Sequence, residues 1–229
     1  MEFEEVVRKL RRMRDPRAIE GMARFGIAGK GRLGLSIPAL RRMAREIGTD
    51  HSLALKLWRS GIPDARILAG MVDDPSRVTG RQMERWVKDF DSWDVCDQVC
   101  SNLFDRTPFA GAKAAEWSGR EEEFVKRAGF VLMAALSVHD KGAADSVFTR
   151  FFPAIKREAT DDRNFVKKAV NWALRQIGKR NPKLNREAIK LAGEIRKIDS
   201  RAARWIASDA LRELNDPRTL AQIRRKKPR

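Results

Sequence analysis

Apolar residues recur every three or four positions along most of the chain, and residues 163–178 show this pattern clearly. Wound as an α-helix, that segment places Phe165, Ala169, Ala173 and Ile177 on one stripe. Sustained alternation of apolar and polar residues, which marks a half-buried strand, does not occur in the sequence. The pattern therefore predicts an all-α protein, with roughly thirteen or fourteen short helices joined by polar turns.

Several predicted helices begin with the same pair of residues, a capping side chain followed by proline. Proline suits the first helical position because the amide hydrogen that it lacks would have no partner there. The Asp or Asn before it accepts a hydrogen bond from an amide of the first turn. We predict such helix starts at Asp15-Pro16, Asp74-Pro75, Asn181-Pro182 and Asp216-Pro217.

A short sequence repeats along the second half of the chain. Glu-Phe-Val-Lys-Arg-Ala at 123–128 returns as Asn-Phe-Val-Lys-Lys-Ala at 164–169, which is 41 residues later. A fainter match relates residues 171–175 to residues 208–212, at an offset of 37. Periods near 40 residues are typical of HEAT or armadillo arrays, in which stacked helix pairs line a concave groove.

The net charge of +17 indicates that this helical array is a candidate nucleic-acid binder. A hydrophobic content of 42% with six Trp and eleven Phe is too high for a disordered basic chain. We predict a superhelical stack of HEAT-like repeats with a concave basic groove over residues 1–223, then a disordered basic tail at 224–229. The groove would accept duplex DNA without a two-fold axis, and we expect a monomer.

Other classes fit the sequence poorly. No apolar run is long enough to span a bilayer, and the acidic start, MEFEEVVRKL, is unlike a signal peptide, so we expect no membrane association. Cys96 and Cys100 with two His in the chain give no zinc set, and we expect small core residues in a reducing cytoplasm. We expect no metal and no cofactor, and nucleoid association if the source is prokaryotic.

Two helices carry candidate chemistry. On the helix at 163–178, Trp172 shares a stripe with Lys168, Arg175 and Lys179. A tryptophan among cations suits contact with a nucleotide. The alternative is an amphipathic Trp at the margin of the core. The second helix carries Trp93 and, one turn later, Asp97 beside the cysteines. A partly buried Asp97 needs a partner, for which Arg127 is the candidate, and a purely structural ion pair is the alternative.

A basic glycine-rich loop runs from Gly26 to Gly34. It lacks the preceding strand and the Ser or Thr of a phosphate-binding loop. The loop is therefore either a flexible connector or a segment whose backbone and cations, Lys30 and Arg32, contact a DNA phosphate.

Three segments together, 92–97, 124–128 and 165–175, resemble the AlkD-like DNA alkylation repair glycosylases. The resemblance rests on a Trp-Asp-x-x-Asp segment, an Arg about 30 residues later and a Trp about 45 residues beyond that. It extends over nearly the whole chain. It implies HEAT-like repeats around duplex DNA and cofactor-free hydrolysis of the N-glycosidic bond of cationic alkylpurines. Phe25 stands where a tyrosine can occur in the family, and Ser92 where a second tryptophan can occur.

The resemblance implies roles for individual residues. Asp97 falls on the catalytic carboxylate, Trp93 and Trp172 on the aromatic pair at the deoxyribose, and Arg127 on the arginine that holds a phosphate. We expect further DNA contacts from cations on these helices and in the glycine loop, namely Lys126, Lys167, Lys168, Arg175, Lys179, Lys30 and Arg32.

Alternative functions remain open on the sequence. Family relatives include DNA binders with little or no glycosylase activity, so a noncatalytic protein that binds damaged or branched DNA is the main alternative. A protein-binding scaffold explains the positive charge poorly, and salt-sensitive duplex binding would argue against it. RNA binding also fits the charge, because phosphate contacts do not distinguish the two sugars.

Overall fold

The computed structural model describes residues 1–27 and 31–225, and within these ranges the chain is helical without a strand. Its contacts divide into two compact units, Met1–Phe109 and Ala110–Arg229. No helix of the described ranges is both long and apolar enough to cross a membrane. The all-α prediction is confirmed, whereas a single domain over residues 1–223 stays a prediction.

The first unit contains seven α-helices and a short 3₁₀ turn at Phe104–Arg106 among its described residues. The helices are α1 (Phe3–Arg12), α2 (Pro16–Ala23), α3 (Ile37–Ile47), α4 (His51–Arg59), α5 (Pro63–Val72), α6 (Gly80–Lys88) and α7 (Trp93–Asn102). Helix α5 is buried along most of its length and packs against α3, α4 and α7. Beside it, the indole rings of Trp58 and Trp86 stack with centroids 3.9 Å apart.

The second unit contains eight α-helices and a 3₁₀ turn at Glu158–Thr160 among its described residues. They are α8 (Ala110–Trp117), α9 (Glu123–His139), α10 (Asp145–Thr149), α11 (Phe152–Arg157), α12 (Asn164–Gly178), α13 (Pro182–Ile195), α14 (Arg201–Leu214) and α15 (Pro217–Arg225). Helix α9 forms the centre of this unit, since nearly all of its residues after the first turn are buried. It packs against both α8 and α12.

The sequence repeat matches the helix positions in the second unit. Helices α9, α12 and α14 begin at Glu123, Asn164 and Arg201, so their starts are 41 and 37 residues apart. Those are the two offsets found in the sequence, and α12 packs against both α9 and α14. The repeating segments are therefore equivalent helices, and position 168 of α12 corresponds to position 205 of α14.

Three of the four predicted Asx-Pro helix starts are confirmed. Asp15 accepts a hydrogen bond from the Ala18 amide, Asn181 accepts one from the Leu184 amide, and Asp216 precedes α15. The start at Asp74-Pro75 is wrong, because Asp74 Oδ1 instead accepts hydrogen bonds from the amide and hydroxyl of Ser76. This local turn ends before Thr79, whose hydroxyl caps α6.

Both irregular basic segments lie partly outside the described residues. In the glycine-rich loop, residues 28–30, including Lys30, are not described. At the other end of the chain, α15 includes Arg224 and Arg225, which we predicted to belong to the tail, and residues 226–229 lie outside the described ranges.

Candidate functional site

The start of α7 is fixed by a buried arginine from the glycine-rich loop. Arg32 donates from Nη1 to Asp94 Oδ2 and from Nη2 to Asp94 Oδ1, both at 2.7 Å. A third hydrogen bond, also 2.7 Å, runs from Nη2 to the hydroxyl of Ser92. Arg32 is 5% exposed and Asp94 is 9% exposed, so these contacts lie in the protein interior. They hold the two residues that flank Trp93.

Arg32 therefore has a structural role here, and its expected contact with a DNA phosphate stays a prediction. Its planar guanidinium is directed at an internal carboxylate, which charge counting along the sequence does not reveal. Ser92 occupies the N-cap position of α7, but its side chain makes no cap hydrogen bond.

The same loop and the residues next to it make further hydrogen bonds within the first unit. The buried carboxylate of Asp64 accepts hydrogen bonds from the amides of Leu33 and Leu35, at 2.8 and 2.9 Å. Before the undescribed residues, the carbonyl of Phe25 accepts a hydrogen bond of 3.1 Å from Trp93 Nε1. Phe25 is itself 73% exposed. An exposed aromatic residue is therefore tied through its backbone to the half-buried indole of Trp93.

Asp97 lies one turn after Trp93 on α7 and is half-buried, as expected from its neighbours. Cys96 and Cys100 on the same helix are fully buried free thiols. Burial raises the pKa of the Cys100 thiol well above its ordinary value, and Cys96 and the charge of Asp97 act in the same direction. The cysteines are core residues, and Asp97 is the acidic group of α7 at the boundary between core and solvent.

Arg127 lies in the second unit, near the start of α9. It is buried and donates from Nη1 to the carbonyl of Phe165 at 2.6 Å. The ring of Phe165 in turn packs against Phe124, with centroids 5.6 Å apart. Arg127 thus joins equivalent ends of α9 and α12, while its predicted pairing with Asp97 stays a prediction.

Several cations that we expected to contact DNA have acidic partners within the second unit. Lys126 Nζ lies 2.5 Å from Glu158 Oε2 and 3.3 Å from Asp161 Oδ2, and its side chain is 12% exposed. A lysine held by two carboxylates is poorly placed to contact a phosphate. Lys126 therefore forms an internal ion pair in this structure, and its expected contact with DNA stays a prediction.

Along the polar stripe of α12, some side chains are accessible to solvent and others form ion pairs. Trp172 is half-buried and Lys168 is exposed, one turn before it. Arg175 and Lys179 both bind the carboxylate of Glu213 on α14. Burial alone would raise the pKa of Glu213, but the Lys179 hydrogen bond and the charge of Arg175 outweigh it and lower that pKa. The stripe predicted from the sequence exists, with Lys168 and Trp172 as its accessible part.

One aromatic residue of the second unit was missing from our sequence interpretation. Trp205 on α14 is 40% exposed, and Lys167 Nζ lies 5.2 Å from the centre of its ring. The sequence signal was a tryptophan beside Arg204 in a helical segment, the same signal that identified Trp172.

Comparison with known proteins agrees with this fold. One solved structure shares 20% sequence identity with the chain, covering 93% of it and 95% of the other protein at a TM-score of 0.77. Its description is a new family of proteins related to the HEAT-like repeat DNA glycosylases, with affinity for branched DNA structures. No curated protein sequence matches the chain.

The structural likeness confirms the predicted HEAT-like fold. A family model described as DNA alkylation repair enzyme matches residues 6–214, which takes in Trp93, Asp97, Arg127 and Trp172. The match covers most of both units. The chain belongs to the DNA alkylation repair enzyme family.

Proposed function

We propose that the protein is a DNA glycosylase that removes cationic alkylpurines, of the 3-methyladenine or 7-methylguanine type, from duplex DNA. The observation that carries the proposal is the position of Trp93 and Asp97 one turn apart on α7. A half-buried carboxylate lies one turn from a half-buried indole, on a helix whose start is fixed by three buried hydrogen bonds. Membership in the DNA alkylation repair family supports this reading.

One carboxylate is sufficient for this reaction because the substrate is already activated. The C1′–N bond of an alkylated purine breaks with its electron pair going to the cationic base, which leaves neutral and needs no strong general acid. Positive charge develops on the sugar, and a carboxylate fixed beside C1′ stabilises it. Water then bonds to C1′ and transfers a proton to Asp97. The products are free base and an abasic site.

The other residues have supporting roles in this proposal. The electron-rich face of Trp93 excludes water from the sugar and stabilises its positive charge. In the second unit, Trp172 is an aromatic contact to DNA and Arg127 contacts a phosphate, in the roles that the family resemblance implies. Lys168 adds a phosphate contact from the exposed side of α12.

A noncatalytic DNA binder is the second candidate. The favouring observation is the solved structure at 20% identity, whose description names affinity for branched DNA. In that case Trp93 and Trp172 would contact DNA, and Asp97 would only maintain the structure of α7.

Product analysis separates the two candidates. Duplex DNA treated with a methylating agent is incubated with the protein, and the soluble fraction is examined for free methylated base. The glycosylase proposal predicts release of methylpurine and formation of alkali-labile sites, without direct strand cleavage. Tight, salt-sensitive binding to branched DNA with no base release would support the noncatalytic binder instead.

A further inference from the structure

We infer that Trp205 forms a second nucleotide-binding position, which stacks on an unpaired base of DNA. The inference rests on DNA binding by the proposed function, but not on its glycosylase activity. At 40% exposed, Trp205 has an unusually accessible indole for a helix that is otherwise well packed. The buried face of α14, formed by Ala203, Ile206, Ala207 and Ala210, supplies the core without it.

The exposed face of α14 is built around this indole. Arg201, Arg204, Trp205, Ser208 and Arg212 are all exposed and recur at three- and four-residue spacing, which places them on one side of the helix. An aromatic ring among arginines is typical of single-stranded nucleic-acid binding, where bases stack on the ring and cations follow the backbone. The face therefore combines both kinds of contact.

The neighbouring helix extends the same surface. Lys167 on α12 places its Nζ 5.2 Å from the centre of the Trp205 ring, and Lys168 on α12 is exposed. The repeat offset of 37 residues makes Trp205 the counterpart of Lys168, one turn before the position that corresponds to Trp172. Trp205 thus continues, on the next repeat, the surface that contains Trp172.

Acidic residues offset only part of this charge. Asp199 binds Arg204 at 2.8 Å, and Asp209 binds Arg212. The Asp199 and Arg204 side chains are both mostly exposed, and an exposed ion pair contributes little to protein stability. A phosphate can therefore replace Asp199 at Arg204 with little loss of protein stability.

An unpaired base is the ligand that fits an exposed indole. Within a duplex each base is stacked on its neighbours and offers a protein only its edges. A base in a single-stranded extension or at a branch exposes its ring face. Stacking on an aromatic side chain contributes about 1–3 kcal/mol per base, which corresponds to roughly a 5- to 150-fold change in affinity.

The test compares three DNA ligands of the same duplex sequence: fully paired, with a single-stranded extension, and with an extension of abasic nucleotides. We expect the wild type to prefer the base-bearing extension. Trp205→Ala should lose about tenfold in affinity for that ligand and change little for the other two, whereas Trp205→Phe should retain most of the preference. Lys167→Gln should weaken binding of all three ligands. Its matched control is Lys190→Gln, on the exposed side of α13.

Equal losses on all three ligands, or no loss for a folded Trp205→Ala, would overturn the inference. Circular dichroism and thermal unfolding of each variant identify a folding defect, which the Trp205→Phe variant avoids. Absence of salt-sensitive binding by the wild type would overturn both this inference and the proposed function. Absence of base release alone would overturn only the glycosylase proposal.

Discussion

Arg32 and Asp94 form a buried two-contact ion pair, with both nitrogen–oxygen distances at 2.7 Å. The pair joins the glycine-rich loop to the start of α7, which carries Trp93 and Asp97. Because the two side chains are only 3% and 12% exposed, removal of one leaves a charge in the interior without its partner. The loop and the candidate site are therefore expected to depend on each other.

Loss of Arg32 should destabilise the first unit strongly. We expect Arg32→Ala to lower the free energy of unfolding by about 3–5 kcal/mol, because Asp94 stays buried without its partner. Urea unfolding followed by circular dichroism measures this. The matched control is Lys9→Ala, which removes an exposed ion pair to Glu46 and should change the free energy of unfolding little. Similar values for the two variants would contradict a structural role for Arg32.

Helix packing in the second unit makes a prediction about glycine. A Cβ at Gly129 of α9 would lie 2.4 Å from the backbone nitrogen of Ser118, so Gly129→Ala forces the backbone apart. We expect a loss of about 1–3 kcal/mol in the free energy of unfolding. Gly193 of α13 has no atom within 4 Å of such a Cβ, and Gly193→Ala should instead gain up to about 1 kcal/mol through helix propensity. A stable Gly129→Ala protein would contradict this packing.

The pH dependence of stability should have opposite signs for two adjacent carboxylates. Burial raises the pKa of Asp73 above its ordinary value of 3.8, despite hydrogen bonds from His51 and Gln82. The folded protein therefore binds this proton more tightly than the unfolded chain. The stabilisation is complete below pH 3.8 and is lost as the pH rises through the raised pKa.

Asp74 provides the opposite case, because hydrogen bonds from Ser76 lower its pKa below 3.8. Its stabilisation is present above that pH and is lost as the pH falls through the lowered pKa. The measurement is the free energy of unfolding of the wild type, Asp73→Asn and Asp74→Asn across acidic pH. The difference between the wild type and each variant should show these two trends. Difference curves of the same sign, or flat ones, would contradict the description of this turn.

Exposure, not charge alone, should decide which lysines contribute to DNA affinity. Lys168 is exposed beside Trp172, whereas Lys126 is held by Glu158 and Asp161. For Lys168→Gln we expect the slope of log affinity against log salt to fall by about 0.9. Lys126→Gln should leave that slope unchanged and lower thermal stability. A reversed order of the two salt slopes would mean that the Lys126 ion pairs open when DNA binds.

Local periodicity was sufficient to predict the helices and the repeat. The 41- and 37-residue offsets correspond to the starts of α9, α12 and α14 because each repeat preserves its own pattern of buried positions. The Asp74 start failed for an equally local reason, since Ser76 competes for the carboxylate that would have capped a helix.

Side-chain partners far apart in the sequence could not be predicted. Arg32 meets Asp94 at a separation of 62 residues, and Lys126 meets Glu158 at a separation of 32. Charge counting treats all four as exposed, so it overestimates the cations available to DNA. Trp205 carried the same sequence signal as Trp172, a tryptophan beside a cation on a helix, and tertiary packing adds that its ring remains accessible.

Single-turnover release of base from methylated duplex DNA tests the central claim most directly, with wild type, Asp97→Asn and Asp91→Asn compared. Asp91 is exposed shortly before α7 and serves as the matched control for loss of a carboxylate. We predict that Asp91→Asn keeps the wild-type rate and that Asp97→Asn is about 10²- to 10³-fold slower, with DNA binding retained. Equal rates for a folded Asp97→Asn protein and the wild type would contradict the assignment of Asp97 as the catalytic carboxylate.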